Sequence, residues 1–423
     1  MNILVLGSGG REHALVLALS KSDSTEKLYC SPGNPGIFQT AENANINPND
    51  FEAVKQFCRN SAIDLLVVGA EQPLAEGIVD SFAGEKTQVF GPTKAAAQLE
   101  SSKDFAKQLM MEYNVPTAAY RSFTSNQSHI AEDYIRAQSL PAVLKADGLA
   151  AGKGVIIATT TEEAVEALGE MFHGTFGVAG AKVVVEEFMQ GDEASIFAIC
   201  DGKEYVTLAP AQDHKRALDG DKGKNTGGMG AYAPAPLVTD EILKKVNTKI
   251  IEPVLQGMIN RGTPFIGCLY CGLMIKDGEP KVVEFNARFG DPETQVVLPL
   301  FEGDLAKLLY SAASGKIDKM AFTGNSNMHA VCVILASGGY PDSFEKGFPL
   351  SGLRESNDEN LIIYHAGTKE ENGNIVTSGG RVLGVTAISG NLKDSITHAY
   401  LAIDKIDFKN KSFRRDIGYK GLL

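Results

Sequence analysis

Three side chains of contrasting chemistry stand two residues apart at Glu284, Asn286 and Arg288. Alternate residues of a β-strand share a face. A strand over residues 282–289 therefore turns these three to one side and Val283, Phe285, Ala287 and Phe289 to a core. Two oxygen donors beside a guanidinium suit a hard cation and an anion held next to each other. The chain continues Gly290, Asp291, Pro292, Glu293. Glycine permits a sharp turn, Asp291 is a good helix N-cap and Pro292 a good first helical residue. A helix is expected to start there, with its anion-favouring end near Arg288.

A second reactive stretch runs over residues 140–158. Residues 141–146 read as a strand carrying Lys145, residues 147–154 as a glycine-rich loop with Gly152, Lys153 and Gly154, and residues 155–158 as the returning strand. It is not a P-loop. The glycine-to-lysine spacing is one residue short, Gly154 replaces the Ser or Thr, and a β-branched strand follows where a helix should begin. A hairpin with lysines at 145 and 153 suits a mobile cover over phosphates. Lys103 sits at a helix start, where the dipole disfavours a cation, so it is either solvated or facing an anion, and solvation is the plainer reading. At the end of a strand over residues 182–188, Glu186 and Phe188 offer backbone groups to a base, and Glu193 beyond it a carboxylate to ribose hydroxyls. Residues 212–216 form a charged loop containing Asp213, and residues 225–230 a glycine loop leading to a helix over residues 239–260.

These groups need rigid elements behind them. Residues 2–6 make a buried strand, residues 7–10 a tight glycine loop and residues 11–20 a helix, the opening of a doubly wound parallel sheet. The dinucleotide fingerprint fails, because Glu12 stands at the third glycine position and the second strand ends in Cys30 and Ser31 without an acid for a ribose. Gly9, Gly10 and Arg11 can still cradle a phosphate. The rigid run with Asn34, and Glu71 after the strand over residues 64–68, share the rim where such sheets bind ligands.

With 423 residues the chain exceeds one ordinary core, and about three domains are expected. A composition of 43% hydrophobic and 22% charged residues is that of a soluble globular protein. The net charge of −12, without a Lys/Arg run, argues against nucleic acid while leaving room for small anions in a local pocket. No apolar run is long enough to span a bilayer and the N-terminus does not read as a signal peptide, so no membrane partner and a cytoplasmic location are expected. Cys268 and Cys271, the one close pair among six cysteines, are spaced to opposite faces of a strand and read as core residues.

Taken together, residues 7–13, 145–154, 212–216, 225–232 and above all 288–295, with the tail at 378–384 and 414–418, resemble the ATP-grasp ligases, and within them the phosphoribosylamine–glycine ligase family. The resemblance covers essentially the whole chain. It implies an α/β and α+β multidomain body: an N-terminal doubly wound parallel sheet (residues 1–103), an ATP-grasp region (residues 104–327) with a lid at about 121–190 and a central domain at about 191–327, and a C-terminal β-rich domain (residues 328–423). It implies ATP-dependent joining of glycine to 5-phosphoribosylamine by a monomer, through a glycyl phosphate. By resemblance, Glu284 and Asn286 hold Mg²⁺ or Mn²⁺, and Lys103, Lys145, Gly152, Lys153 and Gly154 meet the ATP phosphates. Glu186 and Phe188 meet adenine and Glu193 the ribose. Asp213 meets the glycine ammonium and Arg288 its carboxylate, with Lys145 also part of the catalytic set. Gly9, Gly10, Arg11, Asn34, Glu71, Gly290 and Asp291 line the phosphoribosylamine side. One departure stands out: residues 269–275 carry no acid, whereas many ATP-grasp relatives place a further metal-binding carboxylate there.

Three other readings compete. Another ATP-grasp carboxylate-amine ligase or a bicarbonate-using carboxylase would share the lid and the Glu284/Asn286 pair, but not the 288–293 run. A nicotinamide-dependent oxidoreductase is opposed by the failed fingerprint. A nucleotide-binding module without turnover would keep the loops and lack single ligands.

Overall fold

The computed structural model describes residues 1–149, 154–174, 181–353 and 360–423. Its first sheet is parallel and five-stranded, in the spatial order Glu42–Asn43, Lys27–Pro32, Asn2–Gly7, Leu65–Val68, Gln88–Phe90. Alternation along Asn2–Gly7 sends Ile3 and Val5 to one core, with Leu15 and Leu19 of helix Gly10–Ser20, and Leu4 and Leu6 to another, with Val54 and Cys58 of helix Phe51–Asn60. The helices thus cover opposite faces, the doubly wound arrangement expected. Strand order reverses between Asn2–Gly7 and Leu65–Val68, and ligands of such sheets bind at the carboxyl ends beside that switch.

A four-stranded antiparallel sheet follows, ordered Tyr120–Thr124, Lys182–Glu187, Ala142–Ala146, Val155–Ala158. Helices Ser128–Ala137 and Thr161–Phe172 close its own small core through Ala131, Ile135, Leu168 and Met171. The second helix starts where Thr160 accepts from the Glu163 N–H and Glu163 reaches back, a capping box. Gly152 and Lys153 lie outside the described residues.

The central sheet runs Tyr205–Thr207, Asp192–Asp201, Ile266–Lys276, Glu279–Asn286, all antiparallel. Cys268 and Cys271 project from Ile266–Lys276 into different cores, and all six cysteines are free and buried. The last strand differs from the expected alternation. Gly272 pairs with Glu284 but Leu273 with Val282, so Val283 is the extra residue of a β-bulge. Val282 therefore enters the core, Val283 faces the cavity beside Glu284, and the strand ends at Asn286. The expected helix start at Asp291 also moves: the helix is the short turn Thr294–Val297, too short to form an anion-binding end.

The last sheet is ordered Gln212–Asp213, Gly230–Ala233, His329–Ser337, Arg381–Ser389, Leu361–His365, with helix Leu392–Ile403 packed on it. Its first two strands precede residue 328, so the C-terminal sheet is completed by the segment that carries Asp213. Among the described residues no helix is long and apolar enough to cross a membrane.

Candidate active site

A cavity of about 570 Å³ opens where the four sheets meet. The end of Glu279–Asn286 forms its floor, with Glu284 and Asn286 half-buried and facing in. Among the described residues neither side chain has a hydrogen-bond partner. Burial pushes the Glu284 carboxyl up, but Lys215, Lys145 and Lys103 outweigh it and hold the group below the usual value, charged at neutral pH. Two free hard-oxygen donors fit a divalent cation. No cluster of three His, Cys, Asp or Glu arranged for a metal occurs among the described residues.

The lid sheet supplies the roof. Lys145, the fourth residue of the buried strand Ala142–Ala146, reaches down so that its Nζ donates to the Val283 carbonyl at 3.0 Å and pairs with Glu186 Oε2 at 3.0 Å. Lys107 pairs with the same oxygen at 3.3 Å, and burial, only partly opposed by Glu186, lowers its ammonium to about 8. Glu186 differs from expectation. Its backbone lies inside the sheet between Tyr120 and Val143, and the group left free is the buried carboxylate oxygen Oε1. Phe188, just past the strand end, lines the cavity and is partly exposed. Lys103 is not solvated: it turns inward and donates to the Gly148 carbonyl at 2.8 Å, and burial lowers its pKa. Gly154 lines the same roof and its carbonyl accepts from Ala146 N at 2.8 Å.

Asp213 is buried at the cavity wall, and its Oδ1 has no partner. Burial raises its carboxyl to about 8, with Lys215 opposing and Glu293 adding to the rise. Glu293 is held by Tyr270 Oη at 2.9 Å and Ser195 Oγ at 3.1 Å. Glu193 pairs with Lys215 Nζ at 2.6 Å. Arg288 lies past the strand end. Its Nη2 is 3.0 Å from Glu100 Oε1, its Nε 3.3 Å from Glu71 Oε2, and its Nη1 donates to the Phe289 carbonyl at 3.1 Å.

The N-terminal loop is occupied by its own chain. Glu12 folds under it, accepting from Gly9 N at 2.6 Å and from Arg11 Nε at 2.6 Å. A carboxylate thus stands where the dinucleotide fingerprint has a glycine. Arg11 reaches the cavity and also donates to the Phe289 carbonyl at 3.2 Å. Gly10 packs against Gln295, and Gly290 against Glu293. Asp291 pairs with Arg381 Nη2 at 3.0 Å and accepts from Gln295 Nε2 at 2.7 Å. Asn34 does not line the cavity: its amide donates to Ser8 O at 2.8 Å and His365 O at 2.9 Å, and its oxygen accepts from Gly36 N and Ile37 N, each at 3.0 Å. With every hydrogen-bonding position used, Asn34 is a brace between the first and last sheets, which corrects its placement on the substrate side.

The sequence reading missed Glu100, Lys107, Lys215 and Arg381. Lys215 and Arg381 fall within the runs at 212–216 and 378–384, but only their distance to Glu193 and Asp291 exposes what they do. Glu100 and Lys107 carried no local signal.

Comparison with known proteins identifies the family. The phosphoribosylglycinamide synthetase N domain matches residues 1–100, the ATP-grasp (A) domain residues 101–294 and the C domain residues 330–420. The chain is 48% identical over 422 residues to a phosphoribosylamine–glycine ligase of Mesorhizobium japonicum, covering 100% of this chain and 99% of that one. It is 47% identical to that of Brucella melitensis, covering 100% and 98%. The crystal structure of the Thermotoga maritima enzyme of the same name superposes with a TM-score of 0.85 at 34% identity, over 98% of this chain and 100% of that chain. A biotin carboxylase from Campylobacter jejuni, at 13% identity and a TM-score of 0.73 over 99% of this chain and 94% of that one, shares the fold alone. Family models that match residues 1–100, 101–294 and 330–420, together with relatives 47–48% identical over the whole chain, leave one conclusion: the chain belongs to the phosphoribosylglycinamide synthetase family of ATP-grasp ligases.

Proposed function

We propose that this chain joins glycine to 5-phosphoribosylamine at the expense of ATP, giving glycinamide ribonucleotide, ADP and phosphate, an early step of purine synthesis. The observation that carries the reading is the convergence of Glu284, Asn286 and Arg288 with Lys103, Lys145 and Asp213 on one cavity. A carboxylate is a poor electrophile. Phosphorylation by ATP turns it into an acyl phosphate, which the amine of the second substrate then attacks. Positioning and charge neutralisation do most of the work in such a transfer.

Each group has a task in that scheme. Lys103 and Lys145, both aimed into the cavity, hold the ATP phosphates, with Gly154 above them. Glu284 and Asn286 would hold Mg²⁺ or Mn²⁺, which neutralises phosphate charge when bound. The free Glu186 oxygen and Phe188 meet adenine, and Glu193, released from Lys215, meets the ribose. Asp213 takes the glycine ammonium and Arg288 the carboxylate and its developing charge. Arg11, Glu71 and the turn at Gly9, Gly10, Gly290 and Asp291 form the phosphoribosylamine side. A closed roof excludes the water that would hydrolyse the acyl phosphate.

The same reading makes the protein a cytoplasmic monomer acting on small molecules, without nucleic-acid or membrane partners, and size-exclusion chromatography checks the monomer. The decisive assay is ADP release with phosphoribosylamine generated in situ. Release should require both glycine and the amine, and ADP formation independent of glycine would overturn the proposal.

A further inference from the structure

We infer that Glu100 is the positioning residue for Arg288, a role that rests on reading Arg288 as the group that holds glycine's carboxylate. Glu100 lies in the short helix Gln98–Ser101, far from the 288–293 run in sequence, and its side chain is 9% exposed. Its two oxygens do different things. Oε1 sits 3.0 Å from Arg288 Nη2, and Oε2 accepts from the Ala287 N–H at 2.7 Å. One carboxylate therefore fixes the backbone just before Arg288 and the guanidinium itself, a two-point hold that sets both the origin and the direction of the side chain.

The second carboxylate on Arg288 is held differently. Glu71 is 35% exposed on its side chain, 3.3 Å from Nε, and the geometry leaves Nε without a hydrogen bond. Glu71 is the partner an incoming carboxylate can displace, and Glu100 the one that stays. Burial raises the Glu100 carboxyl against the pull of Arg288, whereas Arg288 and Arg11 outweigh burial at Glu71 and lower it. Breaking a buried pair strands the other charge, so Arg288 would lose its orientation if Glu100 lost its own. Misplacement of a reacting group by an ångström costs on the order of 100-fold in rate.

The test is steady-state kinetics on the full chain carrying Glu100→Gln, which keeps the acceptor for Ala287 N–H but removes the charge. The expected result is a ~10- to 100-fold loss in kcat/KM for glycine with ATP affinity within about twofold of the parent. In an Arg288→Lys background, which has already lost the forked hold, Glu100→Gln should add little, and Glu100→Asp should restore part of the activity that Glu100→Gln loses. Parental glycine kinetics in Glu100→Gln, an equal loss of ATP affinity, or full additivity with Arg288→Lys would each overturn the positioning role. If Arg288→Lys and Arg288→Ala leave glycine kinetics unchanged, the reading of Arg288 itself fails, and that result is separate from anything seen at Glu100.

Discussion

Arg288 and Asp213 face one cavity from different parts of the fold, and their environments set how each will respond to change. Arg288→Ala removes a guanidinium that lines the cavity with Glu284, so turnover should fall by ~100- to 1,000-fold while ATP affinity is retained. Parental turnover would remove it from the mechanism. Asp213 makes a different prediction. Burial raises its carboxyl to about 8, so in the empty site it is mostly neutral at neutral pH, while an ammonium binds only the ionised form. The KM for glycine should therefore fall as pH rises from about 7 to about 9, with proton release on binding, and Asp213→Asn should flatten the profile. A pH-independent KM in the parent enzyme would count against the ammonium contact.

Elements decide how these side chains are delivered. The strand Ala142–Ala146 brings Lys145 across to the Val283 carbonyl, which is available because the bulge turns Val283 toward the cavity. Lys145→Ala should weaken nucleotide binding by ~10- to 100-fold, the worth of one or two charge-assisted bonds, as measured by calorimetry with a non-hydrolysable ATP analogue. Unaltered affinity would show that the lid strand does not reach the phosphates. The N-terminal loop depends on a bare backbone. Gly7 has φ +140°, and a Cβ there would lie 2.3 Å from Glu12 Cγ. Gly7→Ala should cost about 1–3 kcal/mol and displace Glu12, lowering the melting temperature, and an unchanged melting curve would refute the close approach. Gly228 closes on Pro292 in a similar way and Gly227 on Arg381, which donates to the Asp291 carbonyl at 2.8 Å.

At the scale of the whole molecule, the first and last sheets are joined by buried neutral histidines. His13 Nδ1 accepts from His365 N at 2.8 Å, and Asn34 donates to the His365 carbonyl. Burial, aided by His365, lowers His13 to about 3, and burial lowers His365 to about 4. Because both folded values lie below the unfolded one, the stability they contribute is complete above about pH 6.5 and is lost as pH falls toward those folded values. The melting temperature should decline over that interval, and a flat profile between about pH 6.5 and about pH 4 would falsify the coupling.

Much of this was legible in the linear chain. The spacing of Glu284 and Asn286, the glycine hairpin after Lys145 and the opening parallel strand are local patterns, and local geometry fixes which way such residues point, whereas Arg288 lies past the strand end and takes its direction from Glu100 and Glu71. The family resemblance followed from the same ordered motifs. Other features depend on pairs distant in sequence. The bulge at Val283 is set by what Gly272 and Leu273 pair with, Asn34 is claimed by a carbonyl from the last sheet, and Lys103 is drawn inward by Gly148. Glu100 makes the division plain: nothing in its neighbourhood marks it, because a buried carboxylate acquires its role only from the guanidinium and amide that folding brings to it. The sequence by itself determined the local groups at Glu284, Asn286, Arg288, Lys145 and Asp213, while Glu100 and Lys107 joined them only through the fold. Only the tertiary structure decided which of them are free to meet a ligand, since hydrogen-bonding capacity is spent or left open by neighbours that lie elsewhere in the chain.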